Sequence, residues 1–420
     1  MNSTQSDRRR FLKDAALAGI AVGGITSASG QAPTSESRHA DIGAYGERSQ
    51  FENSVRVTAA FHDPPKDHSS VTPLQDSVGI ITPSGLHFWE DHDFGNPLPG
   101  GDPRQHRLLI HGLVDRPTTY LWEDLKRLPV GSGVYFIESK SNSKPLKGRD
   151  AESVQQVHGK TSCSEWTGAP LSLLLREAGL QKGAKWALAE GSDSGKYTTS
   201  IPIEKAMEDV LVAYAQNGES VRPQNGYPLR LIVPGWQGHN DVKWLRRIKV
   251  VDEPYMAKWE SGSSADQWPD GKARWFRFET GPKSIITRPC PENRLSGHGY
   301  CEITGLAWSG GGKILKVEVS TDGGRSWKQA RLEGPVLPMA HTRFCFDWNW
   351  DGEEAVLQSR CTDERGEIQP SLAELGRHMG VPPDQLEPYF GFPGKLKDHI
   401  NAIQPWKVNW DGSVRNALFS

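Results

Sequence analysis

Imidazole and carboxylate groups suit copper or iron, and the chain carries His87, His92, His111, His158 and His239 together with Asp91, Asp93 and Asp241. Their spacings match no metal motif, so only the fold could gather them into a copper or iron site. The five cysteines are Cys163, Cys290, Cys301, Cys345 and Cys361, with no Cys-x-x-Cys pair. That excludes a zinc ribbon, a thioredoxin-type dithiol and covalently attached haem. Cys163, alone in the first half, reads as a small buried apolar residue. One or two disulfides are open to the other four, with the pairing not fixed by sequence. Gly310-Gly311-Gly312 is followed by a strand rather than a helix, so it reads as a hairpin turn and not a phosphate cradle. The polar loop Glu138-Ser139-Lys140-Ser141-Asn142-Ser143 runs straight out of the apolar segment Val134 to Ile137.

The elements that must position these groups are short. Arg107 to Val114 reads as a strand ending at Asp115-Arg116-Pro117, and Leu121 to Leu128 as a short amphipathic helix. Pro170 suits the first position of a Leu-rich helix running through Ala178 and stopped by Gly179. Pro228 to Gly235 reads as a buried strand between breakers, and Val242 to Val250 as a second, alternating one. Short helices among scattered strands predict an α+β first domain rather than a doubly wound nucleotide fold. Beyond the polar, Gly-rich stretch from Glu260 to Pro282 the pattern is all-β. Strands are expected at Ile303–Trp308, Ile314–Ser320, Thr342–Trp348 and Ala355–Arg360, with a helix at Leu372–Met379. That spacing predicts an immunoglobulin-like β-sandwich.

Composition narrows the classes further. The 420 residues carry 49 Lys+Arg against 51 Asp+Glu, a formal net charge of -2 with no basic block, which argues against a nucleic-acid binder. At the N-terminus, Asp7-Arg8-Arg9-Arg10-Phe11-Leu12-Lys13 precedes a mildly apolar run from Ala15 to Ile25 and the small residues Ser27 to Gly30. This reads as a twin-arginine export signal. The expected location is therefore the periplasm, where disulfides are permitted, and a route that moves folded proteins raises the prospect of a cofactor. The mature form is expected to have no membrane span.

Longer motifs add a resemblance. Gly305-Leu306-Ala307-Trp308-Ser309-Gly310 and the run Lys316 to Trp327 resemble the C-terminal dimerisation domain of sulfite oxidases. Gly226-Tyr227-Pro228-Leu229-Arg230 and Val242-Lys243-Trp244-Leu245 look like that family's molybdopterin-binding segments. Ile81 to Phe88, Ser162 to Gly168 and Asn401 to Trp406 are similar to its SoxC branch, the molybdenum subunit of periplasmic sulfane dehydrogenase. The resemblance spans roughly residues 75 to 420. Composition gives a signal peptide at 1–30, an arm at 31–75 and a linker at 259–283, and the resemblance implies a mixed α+β molybdopterin domain at 76–258 and a dimerisation domain with its tail at 284–420. It also implies an oxo-molybdenum pyranopterin cofactor, a homodimer, other sulfur-oxidation proteins as partners and a c-type cytochrome as electron acceptor.

Three roles implied by the resemblance fall on altered residues. The family's metal-binding thiolate sits in a loop of the form Glu-Cys-Ser-Gly-Asn-Ser, and here Ser139 occupies that place; a hydroxyl is a hard donor that stays protonated far above a thiol's range. Glu90 aligns with the Arg that receives an oxyanion substrate, with His92 beside it. Ser264 aligns with the Tyr that donates a hydrogen bond at the metal oxo group. The residues implied to hold the pterin are better kept: Asp193, Asn225, Arg230, Val242 and Lys243. Two functions follow as expectations. One is a SoxC-like oxidoreductase of sulfite or sulfane sulfur with impaired catalysis; the other is a non-catalytic paralogue serving as a binding or assembly subunit.

Overall fold

The computed structural model describes residues 54–58, 69–90, 102–144, 152–263, 265–267, 270–276, 278–391 and 399–419. The export signal, His92, Asp91, Asp93 and Ser264 lie outside the described residues.

Two sheets build the first half. In one, Leu211–Gln216, Thr161–Pro170 and Gly131–Glu138 run side by side and antiparallel, with Arg230–Ile232 pairing with Leu211–Gln216. The other follows the order Thr118–Leu121, Arg107–Gly112, Leu245–Val251, Trp186–Gly191, Thr198–Pro202, with one parallel pair, Leu245–Val251 against Arg107–Gly112. The helix Leu171–Ala178 buries Leu171, Leu174, Leu175 and Ala178, an i, i+3, i+4, i+7 stripe, and ends at Gly179 with φ +75°. The architecture is mixed α+β.

Local differences from the sequence reading have local causes. The helix expected over Leu121–Leu128 is only Trp122–Leu125, because Leu121 is taken up in a strand whose partner is Arg107. The strand expected from Val242 begins at Leu245, because Trp244 sits in the left-handed region with φ +52° and bends the chain there.

The second half is a two-sheet sandwich. Lys283–Arg288, Gly299–Trp308, Thr342–Trp350 and Arg331–Glu333 form one sheet; Lys328–Gln329, Ile314–Ser320, Ala355–Asp363, Trp406–Val408 and Val414–Asn416 form the other. Between them lie Trp308, Val317, Phe344, Leu357 and Trp406. The same apolar cluster takes in Phe136, Val154, Val157 and Cys163 from the first half, so the sandwich packs directly on the back of the Gly131–Glu138 strand.

All five cysteines are free thiols. Cys301 and Cys345 share adjacent strands, yet Cys301 faces Trp348 and Cys345 faces Thr304. That three-residue offset is about 10 Å along the strand, beyond disulfide reach. Among the described residues no helix is long and apolar enough to cross a membrane.

Candidate cofactor pocket

One pocket collects most of the residues singled out by sequence. Glu90, Ser139, Asp193, Asn225, Arg230 and Lys243 line it, with Trp89, Ser141, Tyr197, His239, Asp241 and Trp244 among their neighbours. Val242 is buried beside it but does not line it. The ends of two paired strands, Trp186–Gly191 and Leu245–Val251, deliver Asp193 and Lys243, and Ser192 N donates to Trp244 O at 2.9 Å. Gly226, with φ +114°, lets the chain pass close to Lys243; a Cβ there would lie 3.0 Å from the Lys243 Cα. Glu90 is set by a short antiparallel pair, Ser69 opposite Glu90 and Ser70 opposite Trp89.

One end of the pocket is built to receive an anion. Arg230 is buried, donates through Nη1 to Asn225 O at 3.1 Å, and leaves its Nε with no hydrogen-bond partner among the described residues. Burial pulls its pKa down to about 10 against the opposing pull of Asp241, so it stays a cation at neutral pH. A buried cationic donor left open is costly unless a ligand completes it. Asp241 accepts from Val233 N at 2.7 Å, and burial raises its pKa to about 7, with Arg230 opposing. It therefore only partly neutralises the guanidinium. Behind them His87 is held neutral, its pKa lowered to about 3 by burial and then by Arg230. Lys243 Nζ donates to Glu90 O at 2.7 Å and lies 4.6 Å from the Trp244 ring centroid. Asp193 closes its own turn, accepting from Tyr197 N at 3.2 Å, while still facing the pocket.

The opposite end satisfies itself. Ser139 Oγ donates to Glu90 Oε2 at 2.6 Å, and Ser141 Oγ donates to Glu90 Oε1 at 3.2 Å. Lys160 Nζ donates to Glu90 Oε1 at 2.6 Å and to Ser141 Oγ at 3.0 Å, with a side chain only 7 % exposed. A carboxylate, two hydroxyls and an ammonium thus occupy the place where the family resemblance puts a thiolate and a guanidinium.

Lys160 and Tyr197 were not legible as site residues. Lys160 lies 70 residues from Glu90 in sequence; its one signal is a charge opening the otherwise uncharged run Thr161-Ser162-Cys163-Ser164. Tyr197, its pKa raised by burial and then by nearby carboxylates such as Glu260 and Glu90, puts a phenol at the pocket although the linker lacks one. Cys163 is no substitute ligand. It is a core thiol with its pKa raised to about 12 by burial, and it accepts from His341 N at 3.4 Å rather than lining the pocket. Of the histidine–aspartate set, His239 and Asp241 line the pocket, and among the described residues no three His, Cys, Asp or Glu are grouped to hold a metal ion.

Comparison with known proteins gives this arrangement its class. Residues 95–259 match the family described as "Oxidoreductase molybdopterin binding domain", and residues 277–381 match "Mo-co oxidoreductase dimerisation domain". The chain belongs to the sulfite oxidase family of molybdopterin oxidoreductases, and within it the chain is SoxC-like. It is similar to the sulfane dehydrogenase SoxCD of Paracoccus pantotrophus, with 36% identity and a TM-score of 0.81 over 96% of this chain and 98% of that one. It is also 30% identical to the mitochondrial sulfite oxidase of Rattus norvegicus over 77% of this chain and 61% of the relative. Against the NADH nitrate reductase of Solanum lycopersicum it is 32% identical over 70% of this chain and 36% of the relative. The chain therefore spans between about a third and three fifths of these two curated relatives. The dimerisation-type domain fits a homodimer.

The residues present fit the family's cofactor at one end only. The buried guanidinium of Arg230 fits the phosphate of a pyranopterin, while Lys243 lines the same pocket with its ammonium donating to Glu90 O. At the other end the donors are hydroxyls committed to a carboxylate, and they do not fit a soft thiolate bond to molybdenum.

Proposed function

We propose that this chain is a SoxC-like subunit of periplasmic sulfur-compound oxidation, homodimeric, in which the pyranopterin end of the pocket is functional and the metal end is impaired. In the family resemblance, sulfite or protein-bound sulfane sulfur is oxidised and electrons pass to a c-type cytochrome. Here Arg230 would hold the cofactor phosphate with Lys243 nearby, while Asp193 and Asn225 shape the wall. The periplasmic location is supported by Arg8-Arg9-Arg10-Phe11-Leu12-Lys13.

The observation that carries the reading is the Ser139–Glu90–Lys160 contact, with both Ser139 Oγ and Lys160 Nζ 2.6 Å from the Glu90 carboxylate. A carboxylate where an oxyanion must arrive repels it, and loss of one transition-state-stabilising group alone costs roughly 10²–10³ in turnover. The test is metal and pterin analysis of natively exported protein beside a sulfite–cytochrome c assay. Expected are pterin near one per chain, molybdenum well below one, and turnover at least ~10²-fold under that of a thiolate-bearing relative. Stoichiometric molybdenum with full turnover overturns the reading. The same closed network favours a second reading, a binding or assembly subunit without catalysis, and absence of pterin from the exported protein would select it.

A further inference from the structure

Glu138 is the last residue of the Gly131–Glu138 strand, and the next residue, Ser139, lines the pocket. Its own carboxylate does not line the pocket. It lies in the junction between the two halves of the molecule, where it receives donors from both. From the sandwich, Lys283 Nζ donates to Oε1 at 2.6 Å and Trp308 Nε1 to Oε2 at 2.7 Å. From its own loop, Asn142 Nδ2 donates to Oε1 at 2.8 Å. His399 Nδ1 lies 3.6 Å from Oε2. Lys283 and Glu138 are essentially solvent-free, with side chains 1 % and 0 % exposed.

The contacts continue outward. Asn142 Oδ1 accepts from Lys160 N at 3.1 Å, and Ser139 N donates to Lys160 O at 3.0 Å. Lys160 Nζ in turn grips Glu90. One chain of hydrogen bonds therefore runs from the sandwich through Glu138 and Asn142 to the backbone of Lys160. Gly238 passes close to the strand end: a Cβ there would lie 2.9 Å from Glu138 O.

Stability alone is a poor reason for this cluster. A buried ion pair recovers its desolvation cost only with full hydrogen bonding, and an apolar pair of similar volume is often as stable. The surrounding core, with Phe136, Trp308 and Val157 in one cluster, is apolar and continuous across the junction without it. What an apolar pair lacks is direction: Oε1 and Oε2 fix Lys283, Trp308 and Asn142 at once.

We propose that Glu138 is a positioning residue through which the sandwich domain sets the place of the 139–143 loop and of Lys160, and so the shape of the pocket's closed end. This rests on the pocket reading only in taking that end to matter for function; the loop's placement is measured without any ligand.

The experiment is hydrogen exchange on the full chain in its native assembly, comparing amides 139–143 with the control strand Trp186–Gly191. Trp308→Phe keeps a six-membered aromatic ring in the core and removes the Nε1 donor together with the pyrrole ring. Loop exchange is expected to rise about tenfold while the control strand is unchanged. Lys283→Met is expected to act more strongly in the same place. The Glu138→Gln/Lys283→Met double variant removes both charges, so melting should recover relative to Lys283→Met. Its loop exchange should stay fast, because Gln offers one acceptor oxygen where the carboxylate offers two, so either Trp308 Nε1 or Asn142 Nδ2 then faces an NH2 donor. Unchanged loop exchange in Trp308→Phe and Lys283→Met overturns the proposal. So does a rise of equal factor in loop and control strand, or loop protection that returns in step with melting in the double variant. Pterin content of the same samples is read separately, so failure of the cofactor reading is distinguishable from failure of this one.

Discussion

The two ends of the pocket are made of similar side chains and treat them in opposite ways. At the Arg230 end a buried guanidinium has an Nε without a hydrogen-bond partner among the described residues, and the nearby Asp241 carboxyl is only partly ionised near neutrality. At the Ser139 end the carboxylate of Glu90 takes donors from Ser139, Ser141 and Lys160. The first end leaves a buried donor unsatisfied among the described residues, and the second satisfies its carboxylate with its own residues. Charge content alone therefore says little about binding. What matters is whether the fold has already satisfied the charge, since an unsatisfied buried donor is what a ligand relieves.

The contrast breaks most sharply at Arg230. Arg230→Met should remove pterin and lower sulfate affinity by roughly 10²-fold or more, the scale of losing a buried charge-assisted contact. Pterin fluorescence of denatured protein and calorimetric titration with sulfate measure it. A variant with pterin intact would show that the open end is not the phosphate seat.

Lys160→Met tests the closed end. It leaves Glu90 partly buried without its ammonium and should cost about 2 kcal/mol in denaturant unfolding, with Glu90→Gln/Lys160→Met recovering most of the loss.

Reopening that end is the gain-of-function test. Ser139→Cys with Glu90→Arg would set a guanidinium against Lys160, so the triple variant Ser139→Cys/Glu90→Arg/Lys160→Leu is the better reconstruction. Molybdenum per chain should rise about tenfold over the parent if the pterin end is otherwise intact. No rise in the triple variant means that more than these side chains blocks the metal.

The smallest effect is one of pH. Asp241 has its pKa raised to about 7 by burial, so its protonated form contributes stability that is full below the ordinary carboxylate range and lost as pH rises through about 7. Protonation also removes a negative charge beside Arg230. Sulfate, which does not titrate here, should bind about threefold more tightly at pH 6 than at pH 8. Asp241→Asn should flatten that dependence. Acid acts the other way through His87 and His341, each held neutral with a pKa near 3 mainly by burial. Their depressed values mean that stability present above pH 6.5 is lost as pH falls toward 3, which melting curves will show.

Legibility in the sequence followed the range of the interaction. The sandwich strands were readable from alternation and turn residues; Ile314–Ser320, for example, buries Ile314, Val317 and Val319. The Leu171–Ala178 helix was readable from its apolar spacing and glycine stop, although Pro170 is not its first helical residue but ends the preceding strand at the N-cap. Ser139, Glu90, Arg230 and Lys243 were readable by resemblance, because each sits in a contiguous motif. The Val242 strand start failed because Trp244 adopts a left-handed backbone that no local pattern announces. Lys160 failed because its meaning lies in Glu90, a partner 70 residues away.

The sequence by itself determined the two-part α+β and β-sandwich plan and which side chains are available, since apolar periodicity and motif order act over neighbouring residues. Only the tertiary structure decided that Glu90 and Lys160 meet beside Ser139 while the Arg230 Nε finds no hydrogen-bond partner among the described residues. Whether a charge is satisfied depends on what lies within about 3 Å of it, and that distance is set by packing between segments far apart in the chain.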